Sequence, residues 1–313
     1  MQKTENVLII GSGPAGYTSA IYSARAGLSP LMISGLEPGG QLTITTDVEN
    51  YPGFESPIQG PLLMEQMKKQ AESYGTRIQN DFVKEVDFNS FPFKIKTEKK
   101  ELYAFSVIIA TGAKAKWLDI PGEEDFRGFG VSACATCDGF FFKDKDIAIV
   151  GGGNTAVEES LFLSNLCKKV TLIHRRDELR AEKILQNRLL QKKNIEIIWN
   201  SKVIEIIGDH TKKCINSVMI ENINKKEKNK LNIDGFFVAI GHSPSTEIFQ
   251  NILKMDNDGY IKTDADSTKT SIKGIFAAGD VTDRVFRQAV TAAGMGCMSA
   301  IEAESFLNKK KVI

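Results

Sequence analysis

An α/β chain of two doubly wound units, the second inserted into the first, is what the 313 residues predict. Three observations carry that expectation. A strand, a glycine-rich turn, a helix and a second strand follow one another near the N-terminus. The same layout returns at Gly151, about 140 residues after Gly11. Two apolar runs that end in glycine, over residues 107–112 and 236–241, bracket the repeat.

The first unit opens on Val7-Leu8-Ile9-Ile10, an unbroken apolar run of the kind found in a parallel strand covered on both faces. Gly11-Ser12-Gly13-Pro14-Ala15-Gly16 then turns into a helix rich in small residues (Ala20, Ala24, Ala26). Gly27 closes that helix as a C-cap, and Pro30-Leu31-Met32-Ile33 reads as the next strand. The second unit repeats the pattern with Ile147-Ala148-Ile149-Val150 and Gly151-Gly152-Gly153-Asn154-Thr155-Ala156. A helix to about Leu166 and a strand at Val170-Thr171-Leu172-Ile173 complete it. A lone G-x-G-x-x-G is a weak signal, but strand, turn, helix and strand in order, twice, predict two Rossmann-like dinucleotide-binding domains.

The run Val107-Ile108-Ile109-Ala110-Thr111-Gly112 and the later Phe236-Phe237-Val238-Ala239-Ile240-Gly241 mark where the chain leaves and re-enters the outer domain. The expected division is 1–116 with 246–313 for the outer domain and 117–245 for the insert. The charged run from Asn224 to Asn229 predicts a solvated hairpin turn, and Lys309-Lys310-Lys311 a frayed tail.

Forty Lys+Arg against 39 Asp+Glu leave a formal charge of +1, which argues against nucleic acid or an anionic membrane as the main partner. The apolar run before Gly11 is too short for a signal peptide, and no stretch has bilayer-spanning length. A cytoplasmic protein is expected.

Each glycine of the first turn has its own task. Gly11 permits the tight turn, Gly13 lets the backbone approach a pyrophosphate, and Gly16 allows close helix–strand packing. The helix N-terminus offers unpaired N–H groups to the phosphates. Glu37, beyond the second strand, suits ribose hydroxyls and repels a 2′-phosphate, as FAD or NAD requires. In the second unit the equivalent place holds His174-Arg175-Arg176-Asp177-Glu178-Leu179-Arg180. Forked, charge-assisted bonds from these arginines suit a 2′-phosphate, so this unit is expected to take NADPH. Near the C-terminus Gly274-Ile275-Phe276-Ala277-Ala278-Gly279-Asp280 reads as a buried strand ending in an acid that can bond a polyol hydroxyl.

Cys134-Ala135-Thr136-Cys137 is the reactive candidate. Two thiols at this spacing close a small-ring disulfide whose reduction exposes an accessible thiolate, and Asp138 follows directly as a proton relay. Zinc would need four ligands; there is no second Cys-X-X-Cys, and His174, His210 and His242 are scattered. No metal is expected. Cys167, Cys214 and Cys297 are each expected to be small buried hydrophobes.

Taken together, these motifs resemble bacterial-type (low molecular weight) thioredoxin reductase, of the class II pyridine nucleotide-disulfide oxidoreductases. The likeness extends along essentially the whole chain. It rests on the first glycine motif, Gly39-Gly40-Gln41-Leu42, Glu49-Asn50-Tyr51-Pro52-Gly53, Ala110-Thr111-Gly112, Cys134 to Gly139, Gly151 to Ala156, His174 to Ala181 and Gly279 to Ala289. Most specific is Cys-Ala-Thr-Cys-Asp just before the second glycine motif; larger relatives carry the pair in the FAD domain.

The resemblance implies FAD contacts at Ser12, Gly13, Pro14, Ala15, Gly40, Gln41, Asn50, Val83, Cys137, Asp280, Arg287, Gln288 and Ala289. It implies NADPH contacts at Gly151, Gly153, Asn154, Thr155, Arg175, Arg176 and Arg180. Cys137 is then the flavin-side sulfur and Asp138 the proton donor, and the partner that receives the electrons is thioredoxin. A homodimer and a rotation between the two domains are implied as well. The chain opens directly on the first glycine motif, so the reductase of a peroxide-scavenging system, with its extra N-terminal region, is not expected. A ferredoxin or flavodoxin reductase would lack the cysteine pair. A redox-sensing module that holds nucleotides without turnover is the alternative from another class.

Overall fold

A computed structural model describes residues 3–44 and 47–311. The chain forms two compact units, 1–114 with 243–313 and 115–242. The first contains β1 (Thr4–Ile10), α1 (Pro14–Arg25), β2 (Leu31–Ile33), β3 (Asp47–Val48), β4 (Ile58–Gln59) and α2 (Gly60–Ser73). It continues through β5 (Arg77–Gln79), β6 (Val83–Asp87), β7 (Phe93–Thr97), β8 (Glu101–Ile109) and β9 (Ala113–Ala115). The second opens on β10 (Val131–Ser132), α3 (Ala135–Asp138), β11 (Asp146–Gly151), α4 (Asn154–Leu163), β12 (Lys169–Ile173) and α5 (Lys183–Leu190). It continues with β13 (Ile195–Ile198), β14 (Ser201–Asp209), β15 (Cys214–Asn222), β16 (Lys228–Asn232) and β17 (Gly235–Ala239). After β18 (His242–Pro244) the chain returns to the first unit with β19 (Ile275–Ala277) and α6 (Ala289–Lys309).

In the first unit seven strands make one sheet in the order β5-β2-β1-β8-β7-β6, with β19 also on β8. β8 serves two partners on one edge. Its first half pairs antiparallel with β7 up to Ala104, and its second half pairs parallel with β19 from Val107. Side chains alternate across a strand, and the cores follow that period. Leu8 and Ile10 lie in one cluster with Val107 and Ile109, whereas Val7 and Ile9 join Ile108 in the other. The apolar run of β1 is continuous because both faces are covered.

The second unit repeats this logic in a five-stranded parallel sheet, β10-β17-β11-β12-β13, with a three-stranded antiparallel sheet, β14-β15-β16, alongside. Ile147 and Ile149 enter one core, Ala148 and Val150 the other. Residues 224–227 of the charged run lie in the turn between β15 and β16, while Lys228 and Asn229 open β16.

Three expectations are corrected. α4 stops at Leu163 rather than near Leu166: the Ser164 hydroxyl bonds back to the Leu161 carbonyl, and Asn194 caps the Ser164 carbonyl. The C-terminal lysines are not all frayed, because α6 continues through Lys309, and the Lys310 ammonium sits over the Phe91 ring. Of the three single cysteines, Cys167 is buried, Cys297 is intermediate and Cys214 is exposed at the start of β15.

Candidate functional site

In both units the chemistry-bearing segments leave the carboxyl ends of parallel strands, the edge where open α/β sheets bind ligands. In the first unit Gly11 follows β1, and its N–H bonds the Ile33 carbonyl at the end of β2 (2.9 Å). A Cβ on Gly11 would meet the Ala110 carbonyl oxygen at 2.2 Å, and one on Gly16 would meet the Gly11 oxygen at 2.1 Å, so neither place admits a side chain. Gly13 differs: nothing lies within 4 Å of its would-be Cβ, which opens onto free space at the N-terminus of α1.

Other predicted residues gather around this turn. The Ser12 hydroxyl donates to the Ser34 carbonyl (2.7 Å) and accepts the Gly39 N–H (3.0 Å). That bond folds the Gly39-Gly40-Gln41 segment over the turn, bringing Gly40 against Gly13. Ala15, Ala110, Ala278 and Ala292 form a small-residue cluster that lets α1, α6 and the strand ends close up. Ala289 opens α6, with Gln288 as its cap, and the Asn50 amide donates to Gln288 (3.3 Å). Arg287 is placed by its own N–H, which bonds the Asp283 carboxylate (3.0 Å). Asp283 also accepts from Val285 and Phe286, so one carboxylate shapes the loop before α6. Sequence reasoning missed it, although an Asp two residues ahead of the N–H groups it captures is a turn signal.

Two predicted residues lie differently. The Val83 side chain is packed in a hydrophobic core at the start of β6. Glu37 is exposed and paired with Lys114 (3.1 Å).

The fit to a dinucleotide can be judged from Asp280. It follows β19 and Gly279, and no described residue donates a hydrogen bond to its carboxyl. Burial, with Asp283 nearby and only partly offset by Arg287, pushes its pKa up to about 7. A half-buried carboxyl in want of a donor, beside a glycine turn that opens onto space, suits a ligand with hydroxyl and phosphate groups.

In the second unit Gly151 ends β11, and Gly153 precedes α4 with open space at its would-be Cβ. Arg175, Arg176 and Arg180 are exposed, and none is in an ion pair among the described residues. The Arg180 N–H bonds the Gly152 carbonyl (2.7 Å), which brings the arginine segment to the glycine turn. Asn154 locks the same neighbourhood, its side chain exchanging two bonds with Glu182 (2.9 and 3.2 Å). Thr155 is half-buried in the first turn of α4. Three unpaired guanidinium groups beside a phosphate-type turn suit a nucleotide with an additional phosphate. His174, given no role of its own by the sequence, is buried at the head of this segment and bonds the Glu178 carbonyl (2.9 Å). Burial holds its pKa below the usual histidine value.

The cysteine pair occupies the same carboxyl edge. β10 lies beside β17, and β17 beside β11, so Ser132 is level with Phe237 and, across it, Ile149. Cys134 caps α3 and forms a disulfide with Cys137, Cα to Cα 5.3 Å. The Asp138 carboxyl accepts from the Ser132 hydroxyl (2.5 Å). Burial raises its pKa, and the Ser132 bond opposes that rise. The described residues contain no cluster of metal-ligand type.

The chain belongs to the pyridine nucleotide-disulphide oxidoreductase family, which it matches over residues 5–296. Among its relatives is the thioredoxin reductase of Rickettsia bellii, 59% identical over 310 residues, covering 99% of this chain and all of that one. The thioredoxin reductase of Escherichia coli O157:H7 is 49% identical, covering 98% of this chain and 97% of its own. The solved thioredoxin reductase from Giardia duodenalis superposes with a TM-score of 0.94 at 41% identity, covering 98% of this chain and all of that one.

Proposed function

We propose that the protein is an NADPH-dependent thioredoxin-disulfide reductase that uses FAD. The observation that carries this reading is the Cys134–Cys137 disulfide, set on the same sheet edge as a dinucleotide-type glycine turn with three unpaired arginines. Relatives of nearly identical length that are thioredoxin reductases support it. Together FAD and NADPH supply a hydride and its passage to a disulfide as an electron pair.

The residues divide the work as follows. The turn from Gly11 to Gly16 presents N–H groups to a pyrophosphate, and Asp280 accepts from a ligand hydroxyl. The Gly40-Gln41, Asn50 and Arg287-Gln288-Ala289 segments close over the same ligand. Residues 1–116 with 246–313 are thus the FAD domain, and 117–245 the NADPH domain. Gly151, Gly153 and the α4 N-terminus at Asn154 and Thr155 take the second pyrophosphate, while Arg175, Arg176 and Arg180 hold the 2′-phosphate. Two electrons break the Cys134–Cys137 bond, Asp138 supplies one proton to the departing sulfur, and the dithiol then exchanges with the disulfide of thioredoxin.

The same reading makes the enzyme a cytoplasmic homodimer. In support, the packed pair α1 and α6 exposes Tyr22, Val290, Met298 and Ile301, an apolar group suited to a second copy. No helix among the described residues is long and apolar enough to cross a membrane.

The test is NADPH oxidation by the purified yellow protein with a disulfide reagent, with and without oxidised thioredoxin. Turnover that depends on thioredoxin is expected. Nucleotide binding without turnover would leave the redox-sensing module standing in its place.

A further inference from the structure

We infer that Ser132 is a positioning residue of the reaction: its hydroxyl holds the Asp138 carboxyl beside the cysteine pair before and after the proton is given up. The inference rests on the reading of Asp138 as proton donor.

Ser132 is the last residue of β10 and is 6% exposed. Its backbone is fixed by the parallel pairing with Phe237. Its side chain reaches both parts of the redox turn. The hydroxyl oxygen accepts the Cys134 N–H (3.0 Å), and the hydroxyl donates to Oδ2 of Asp138 (2.5 Å). The Cys134 carbonyl, which receives the Cys137 and Asp138 N–H groups at 3.3 and 3.1 Å, lies 3.4 Å from the same hydroxyl. One side chain therefore ties the end of β10, the first cysteine and the carboxyl together.

No other side chain among the described residues bonds Asp138, and none forms an ion pair with it. α3 packs against α4, whose titratable groups are Glu158 and Glu159, and the Gly139–Phe142 turn that follows carries none. The donor is held by one hydroxyl alone.

A hydroxyl is suited to this place because it works in both directions. It donates to a carboxylate and accepts from a carboxylic acid. When two electrons break the disulfide, one proton leaves Asp138 for one sulfur and the second negative charge is neutralised from solvent. Asp138 ends as a carboxylate, and the Ser132 hydroxyl is already in position to donate to it. When Asp138 takes up the proton it will give, the same oxygen accepts, and the Ser132 proton turns towards the Cys134 carbonyl. An apolar residue would leave a half-buried carboxyl without a partner. A simple turn-forming serine accounts for the bond from the Cys134 N–H but not for the one to Asp138.

The test compares Ser132→Ala, Ser132→Thr, Ser132→Val and Asp138→Asn in the full-length flavin-loaded protein. Thr and Val share one shape and differ by the hydroxyl, so that pair answers the question even where the alanine variant folds poorly. Two quantities are followed against pH: kcat for thioredoxin reduction, and the alkylation rate of the reduced Cys134–Cys137 pair. Ser132→Ala and Ser132→Val should lose about tenfold in kcat. Loss of a bond that favours the carboxylate should move the alkaline limb of the profile to higher pH and shift the alkylation inflection. Ser132→Thr should restore all three. If both hydroxyl-free variants keep the wild-type rate and profile while Asp138→Asn is inactive, the inference on Ser132 fails and the proton donor stands. If Asp138→Asn also keeps both, the donor reading itself is wrong. A lower rate with an unmoved profile that threonine does not restore would make Ser132 merely structural and overturn the inference.

Discussion

The imidazole of His174 lies against the backbone of Gly152, so close that a Cβ on that glycine would sit 2.1 Å from Cε1. The ring is also edge-on to Trp199 and bonded to the Glu178 carbonyl. It fastens the arginine segment to the phosphate-type turn, and the Arg180 N–H to Gly152 closes the same loop. Gly152→Ala has to push the ring aside and with it the arginines. NADPH affinity measured by titration should fall by tenfold or more, about 1.4 kcal/mol, while flavin content stays unchanged. An alanine variant with normal NADPH affinity would show that this contact does not set the arginines.

Coenzyme preference should reside in Arg175 and Arg176. Both are exposed and without a carboxylate partner among the described residues, so their loss leaves no buried charge behind. Replacing both by neutral residues should cost about 2–4 kcal/mol of NADPH binding and leave NADH use nearly as it was. Equal loss with the two coenzymes would assign the arginines a structural part instead.

Thiol chemistry should separate the redox pair, Cys167 and Cys214 from one another. Cys134→Ser or Cys137→Ser should abolish thioredoxin reduction, yet NADPH should still bleach the yellow colour, because that step needs no sulfur. Burial, helped by nearby Asp144, pushes the Cys167 thiol up to about 11, so it should resist alkylation at neutral pH, whereas exposed Cys214 should react. Mass spectrometry after brief alkylation of the oxidised enzyme checks both; rapid labelling of Cys167 would contradict the placement.

Acid should weaken the first unit through Glu302. Burial alone would raise its pKa, but bonds from Ser267, Thr268 and Lys269 outweigh it and bring the value down to about 2. Against an unfolded carboxyl near 4.5, this stabilisation is fully present above that pH and is lost as pH falls through about 2. Glu302→Gln should cost about 2–3 kcal/mol at pH 7, seen as a lower melting temperature, and the difference from wild type should narrow towards pH 2. A gap that does not shrink with acid would mean that packing, not charge, is what the substitution removes.

By itself the sequence determined the two α/β repeats and located the cysteine pair that the fold closes as a disulfide, because those depend on local order. Apolar runs, glycine turns and a Cys-X-X-Cys are each legible within a dozen residues, and the comparisons agree with the family they suggest. Only the tertiary structure decided which groups support them. That Ser132 bonds Asp138 and that the His174 ring lies on Gly152 are contacts set by side-chain direction and strand pairing, which no spacing announces. Tertiary packing also separated Cys214 from Cys167, since equal residue types become buried or exposed according to which face of an element is covered. The physical reason is range: a turn or a strand is written by neighbours in sequence, while the environment of a side chain is written by neighbours in space.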